Sequence, residues 1–284
     1  MWILWTVTAL WAASFSLIGE FLAGQVDGYI AVFIRMLLAL ALFLPLWRPR
    51  RLPAIRQLQL AGIGAVQIGI MYLLLYHAFL YLQVAEVLLF TIFTPLYITL
   101  IDDLIFHRRH LPLRWWLAAV LAVLGAAVIR FNQPSEDFIT GFLLIQGANL
   151  CFAAGQVMYK RLPLGTERQQ LHVFALFFIG AALTTGIAMA LFADFSMQPH
   201  GTLEWGILLW LGLGASGLGY LAWNIATKRV NTGQLATMNN MLIPAGLLVN
   251  FAFWGQQVDW LRLGLGAAIL MLAVWLASRD RRLD

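Results

Sequence analysis

Ten apolar stretches, each about long enough to cross a bilayer, occupy nearly the whole chain and leave only short polar connections. A hydrocarbon core about 30 Å thick takes about 20 mostly apolar residues to span as a helix. Inside it every backbone N–H and C=O must be bonded within its own segment, so these stretches have to be helices. Composition agrees: 11% of residues are charged, against roughly 25% in a soluble domain. The expected fold is all-α and integral to the membrane, with ten transmembrane helices at 2–22, 29–47, 59–80, 84–105, 114–130, 139–159, 171–193, 204–227, 234–254 and 260–277. The 284 residues leave no room for a separate soluble domain.

Charge sorts by connection. Arg48, Arg50, Arg51 and Arg56 follow the second span, and Arg108, Arg109 and Arg114 the fourth. Lys160, Arg161 and Arg168 follow the sixth, Lys228 and Arg229 the eighth, and Arg279, Arg281 and Arg282 form the tail. The intervening connections carry Asp27, Glu136, Asp137, Asp194 and Asp259, with Arg130 and Arg262 nearby. Fifteen of eighteen basic residues thus fall on one side. The positive-inside rule makes that side cytoplasmic, and both termini with it. The net charge of +5 therefore reports orientation in a lipid bilayer, not nucleic-acid binding. Met1–Trp5 has no positive region and the run it opens is long for a signal-peptide core, so it reads as a retained helix. The single cysteine, Cys151, lies in a span and has no partner in the chain for a disulfide.

An internal repeat follows. Gly69-Ile-Met-Tyr72-Leu-Leu-Leu-Tyr76 resembles Gly217-Leu-Gly-Tyr220-Leu-Ala-Trp-Asn224, about 148 residues later. Glu86 and Gln234 open the spans that come next, and Pro95 and Pro244 stand in their middles. Five spans per half is an odd number, so halves at 1–132 and 133–284 insert as two inverted five-helix repeats. That plan recurs in secondary transporters, with the substrate near the midplane between the repeats. The two prolines each remove a helical hydrogen bond at matched places, which makes them the expected kinks and gates.

Polar residues inside the spans narrow the site. Arg35 lies about two turns into the second span, where an unpaired charge costs several kcal/mol. Two roles are open to it. It can pair with Glu20 or Glu86 and fasten helices, or present its guanidinium fork to an anionic substrate. Ser14, Gln67, Gln146, Asn149, Gln156, Asn239 and Asn240 add hydroxyl and amide groups, and Thr91 and Thr94 flank the centre of the fourth span. These groups either bond across helices or grip a polar ligand; their spans correspond between repeats, which favours one shared cavity. Tyr72, Phe90, Phe93, Tyr97, Phe152, Tyr220 and Trp223 are candidate walls. Glu86, an acidic group at the end of a span, is the candidate for coupling to protons.

Nothing points to an enzyme. His77, His107, His110, His172 and His200 have no metal-ligand spacing, and no Ser–His–acid set or nucleotide-binding loop occurs, so no cofactor is expected.

The five-plus-five plan, Trp11-Ala-Ala-Ser14-Phe15 and the two prolines together resemble the EamA branch of the drug/metabolite transporter superfamily. The resemblance runs from about residue 10 to 260. Its specific strings are Leu88-Leu-Phe90-Thr91, Thr94-Pro95-Leu-Tyr97-Ile-Thr-Leu-Ile101, Met238-Asn239-Asn240-Met241 and Pro244-Ala-Gly-Leu-Leu-Val-Asn250. Within that branch they are similar to its biotin-uptake members. What the resemblance implies is uptake of biotin across a bacterial inner membrane by alternating access. Arg35 would face the carboxylate, Asn149, Asn239 and Asn240 the ureido group, and Phe90, Tyr97 and Trp223 the ring. An exporter or exchanger of amino acids or other metabolites, and a non-transporting membrane scaffold, are the competing readings.

Overall fold

The structure is a computed structural model that describes residues 2–48, 52–102, 136–230, 232–254 and 260–278, with isolated helical positions at 117, 120, 121, 124 and 128. All regular structure among the described residues is helical. Seven helices are long and apolar enough to cross a membrane: α1 (Trp2–Phe21), α2 (Gly28–Leu46), α3 (Ala54–Ala78), α4 (Val84–Ile101), α5 (Glu136–Arg161), α6 (Glu167–Phe192) and α7 (Thr202–Thr227). Two more, α8 (Thr232–Trp254) and α9 (Trp260–Ser278), follow. The chain is a multi-pass membrane protein. The span expected at 114–130 lies outside the described residues apart from the isolated positions.

Hydrogen bonds between connections define two ends of the bundle. At the acidic end Asp27 caps α2, accepting from the backbone N–H of Tyr29 and Ile30 at 2.8 and 3.1 Å. The same residue joins the α6–α7 connection, accepting from Asp194 N–H and donating its own N–H to the Met197 carbonyl. At the basic end Arg48 N–H reaches the His172 carbonyl, Arg56 the Pro163 carbonyl, and Arg161 pairs with Asp102. Thus α1, α3, α6 and α8 run toward the acidic end, and α2, α4, α5 and α7 toward the basic end.

Lateral packing follows from small residues. In lipid there is little hydrophobic drive between helices, so association depends on close backbone approach. A Cβ on Gly64 of α3 would lie 1.8 Å from the Phe177 carbonyl oxygen of α6, and one on Gly180 of α6 would lie 1.8 Å from that of Ala61. The two helices touch backbone to backbone. In α7 Gly212 similarly admits Leu38 of α2.

Local departures in α3, α7 and α4 bear on the interior of the bundle. Turns with i→i+5 hydrogen bonds occupy Ala65–Ile70 in α3 and Trp210–Leu218 in α7. Such widened turns recur at functional sites, and here the Ala215 carbonyl accepts the Trp11 indole N–H at 2.9 Å. In α4 the helix tightens into a 3-10 turn at Thr91–Phe93 and resumes at Thr94 with Pro95 in its first turn. The expected counterpart at Pro244 differs: α8 continues as one helix through it. A lone proline removes one hydrogen bond and bends a helix without ending it; the adjoining 3-10 turn is what breaks α4.

Candidate functional site

A cavity enclosing about 590 Å³ of empty space, part of it open to solvent, lies near the middle of the bundle. Six helices build it. Trp11, Ser14, Phe15 and Ile18 come from α1, and Met71, Tyr72 and Leu75 from α3. Thr91 and Thr94 come from the break in α4, Ile145, Ala148, Asn149 and Phe152 from α5, Tyr220 from α7, and Asn239 and Leu242 from α8. The lining is mostly apolar, with few polar groups, as a site for a small amphipathic molecule should be.

Trp11 organises the aromatic wall. Its ring lies 4.9 Å from Tyr220 and 4.8 Å from Trp223, and Phe152 meets it edge-on at 5.7 Å. Asn149 owes its position to the α4 break: its Nδ2 donates to the Phe90 carbonyl at 2.8 Å, a group next to the irregular turn. Its own carbonyl oxygen is left for the cavity. Ser14 donates to the Leu10 carbonyl, which keeps its oxygen available as an acceptor.

Of the residues singled out from sequence, Ser14, Tyr72, Thr91, Thr94, Asn149, Phe152, Tyr220 and Asn239 line this cavity together. Arg35 stands one layer behind. It is fully buried, its guanidinium lies 4.0 Å above the Tyr72 ring, and it donates to Tyr76 Oη at 3.0 Å and Ser216 Oγ at 2.9 Å. The expected pairing with Glu20 or Glu86 gives way to hydroxyls and an aromatic face. Its Nε has no acceptor. Glu86 instead serves the start of α4, where its Oε2 accepts from the Gln83 N–H at 2.8 Å in a capping box.

Five further candidates do not line the cavity, although Trp223 packs against its aromatic wall. Phe90 packs against Phe138 and Phe142, and its backbone rather than its ring reaches the site. Tyr97 donates to Gln146 Oε1 at 3.1 Å. Gln67 and Trp223 belong to a polar layer on the basic-end side of the cavity. There Gln67 Nε2 donates to Asn224 Oδ1 at 2.9 Å and Trp223 Nε1 to Gln156 Oε1 at 3.0 Å. Asn240 keeps a buried, unpartnered Oδ1. Tyr76 and Ser216, which hold Arg35, escaped the sequence reading. The spacing of Tyr72 and Tyr76, one helical turn apart on one face, was the available signal.

Beyond the polar layer two lysines tie α5 to the end of α7. Lys228 donates to the Lys160 and Leu162 carbonyls at 3.2 and 2.6 Å, and Lys160 returns a bond to the Val230 carbonyl at 2.9 Å. Burial lowers the Lys228 ammonium from the usual lysine value to about 8. Among the described residues no cluster of His, Cys, Asp and Glu fit for a metal occurs.

The model of the EamA-like transporter family matches residues 1–131 and 139–279. The chain belongs to that family. Family members of known name are similar over nearly their whole length. The chain is 49% identical over 272 residues to the biotin transporter of Salmonella typhimurium, covering 94% of this chain and 89% of that protein. It is 48% identical over 274 residues to the biotin transporter of Escherichia coli K12, with the same coverage. A probable biotin transporter of Pseudomonas aeruginosa is 48% identical over 279 residues, covering 97% and 96%. A solved crystal structure 18% identical in sequence shares the fold, with a TM-score of 0.64 over 98% of this chain and 96% of the other.

Proposed function

We propose that this EamA-family protein takes up biotin across the bacterial inner membrane by alternating access, with both termini cytoplasmic. The observation that carries the reading is identity of 48–49% over 94% of the chain to named biotin transporters. The cavity offers chemistry to match: biotin pairs an anionic carboxylate with a neutral ureido ring and an apolar thioether ring. Trp11, Phe152 and Tyr220 enclose the ring; Asn149 Oδ1 accepts from a ureido N–H and Thr94 donates to the ureido carbonyl. Tyr72, with the Arg35 guanidinium over its ring, meets the carboxylate.

The architecture we propose is ten transmembrane helices as two inverted repeats, 1–132 and 133–284. Several features support it. The packed pairs α1–α8, α4–α5, α2–α7, α3–α6, α3–α5 and α1–α7 map onto one another when α1–α4 and α5–α8 are exchanged. Matched helices run in opposite directions, and the widened turns of α3 and α7 end at Ile70 and Leu218, the repeat offset apart. The cavity takes its walls from α1, α3 and α4 and from their counterparts α5, α7 and α8. Inward orientation of the basic end rests on Arg48, Arg56, Lys160, Arg161 and Lys228 clustering there. Pro95 and Pro244 stand in the matched helices α4 and α8 as candidate gates.

Labelled biotin should bind the purified protein and be displaced by unlabelled biotin, but poorly by biotinamide or free amino acids. Asn149→Leu should weaken biotin about tenfold, one lost hydrogen bond, while sparing octanoate. Displacement by amino acids instead would install the exporter or exchanger reading.

Glu86 is our candidate for proton coupling. Glutamine also completes a capping box, so Glu86→Gln preserves the start of α4 while removing the carboxyl group. Proteoliposome uptake driven by an inward proton gradient should be lost in Glu86→Gln while biotin exchange persists. Gradient-driven uptake in the variant would leave Glu86 as a helix cap alone.

A further inference from the structure

A second cavity, of about 600 Å³, lies at the basic end between α4, α5 and α8, bounded by Ile98, Asp102, Val157, Lys160, Arg161 and Leu235. It sits under the first on the same three helices. Ile98 is one turn beyond Thr94 in α4, Val157 just over one turn beyond Phe152 in α5, and Leu235 one turn before Asn239 in α8. Each of those steps leads toward the basic end.

Between the two cavities stands an amide pair. Gln156 Nε2 donates to Asn239 Oδ1 at 3.4 Å, and Asn239 Nδ2 donates back to Gln156 Oε1 at 3.3 Å. Both distances exceed the usual 2.9–3.0 Å of such bonds, so each is weak. The pair is buried, and opening it leaves each amide a shorter bond, Trp223 Nε1 to Gln156 Oε1 at 3.0 Å and Asn239 Nδ2 to the Leu235 carbonyl at 2.9 Å. The charges beyond it are unequal. Arg161 is bonded to Asp102 through Nε at 3.1 Å and Nη2 at 2.5 Å. Lys160 gives a bond to the neutral Val230 carbonyl and carries two further protons. Among the described residues that bound it, two cations stand against one anion, which tips the lower cavity positive.

We infer that this lower cavity is a second carboxylate-binding subsite, in which Lys160 receives the substrate anion, and that the Gln156–Asn239 pair is the shutter through which the anion leaves the central cavity. The inference rests on the alternating-access reading, but its test measures neither biotin nor transport, so the two can fail separately.

Reporter cysteines are placed in a Cys151→Ala background and labelled in inside-out membrane vesicles, so that reagent meets the basic face. With Val157→Cys in the lower cavity, an anionic sulfonate-bearing methanethiosulfonate should outpace a quaternary-ammonium one by about tenfold relative to their rates on a free thiol, as an electropositive cleft enforces. Lys160→Gln should abolish that preference and Lys160→Arg retain it. Valerate, a plain carboxylate, should slow labelling of Val157→Cys when Lys160 is present. An unlabelled Val157→Cys, no anion preference, or no protection by valerate would overturn the subsite. With Ala148→Cys in the central cavity, Gln156→Ala should speed labelling from the basic face several-fold and leave labelling from the acidic face of right-side-out vesicles unchanged. An unchanged rate from the basic face, or equal acceleration from both faces, would overturn the shutter.

Discussion

Arg35→Ala is expected to weaken binding of biotin by roughly ten- to hundredfold while leaving biotinamide nearly unaffected. Arg35 is fully buried, and its hydrogen-bond partners are the hydroxyls of Tyr76 and Ser216. Those groups satisfy donors but cancel no charge. A guanidinium held this way costs several kcal/mol in a membrane interior, and a carboxylate entering the cavity next to Tyr72 repays part of it. Across the Tyr72 ring, two opposite charges about 8 Å apart at an effective dielectric of about 20 attract by about 2 kcal/mol, and each 1.4 kcal/mol is a factor of ten. The tyrosine ring 4.0 Å from the guanidinium transmits the field and supplies the contact. Arg35→Lys keeps the charge but loses the fork that spans Tyr76 and Ser216, so it should recover part of the affinity. Isothermal titration with the two ligands reads the difference. Unchanged biotin affinity in an Arg35→Ala protein that melts normally would make Arg35 a fastener of α2 to α3 and α7, with no part in substrate selection.

The depth of Arg35 was legible in the sequence; its surroundings were not. The cost of a lone charge directs attention to carboxylates, yet the structure meets it with a tyrosine face and two hydroxyls. A similar division runs through the other candidates. Depth along a helix follows from counting residues between polar connections, which is why Ser14, Tyr72, Asn149 and Asn239 share one layer. Azimuth does not follow. In a soluble helix the polar stripe marks the solvent side, but here the lipid-facing and packed sides are both apolar. Phe90 and Trp223 thus stood at the right height and faced helices in place of the cavity. Tyr97, a turn beyond the Thr94 wall position, points to Gln146. The α4 break was foreshadowed by Pro95, but that it would hand a carbonyl to Asn149 depended on α5 lying alongside, a tertiary fact.

Close packing between α3 and α6 yields the largest expected effect on stability. Alanine is the better helix former by about 0.8–1.0 kcal/mol, so on local grounds Gly180→Ala should stabilise α6. The opposite is expected, because the added Cβ would stand 1.8 Å from the Ala61 carbonyl oxygen and 2.5 Å from its carbon. Neither atom belongs to a side chain that can rotate away, so the helices have to part. Overpacking typically costs about 1–3 kcal/mol and more where the backbone has to move. The reciprocal contact of Gly64 with Phe177 then opens too, and no hydrophobic drive in lipid pulls the pair back together. Gly180→Leu should abolish a monodisperse preparation altogether. Gly62, also in α3, supplies the internal control: a Cβ there meets nothing within 4 Å. Gly62→Ala should therefore hold or raise the melting temperature of the detergent-purified protein, while Gly180→Ala and Gly64→Ala lower it by several degrees. A rise in all three would mean that α3 and α6 do not touch through their backbones. Loss in all three would assign the effect to the glycines' own flexibility and not to their neighbours.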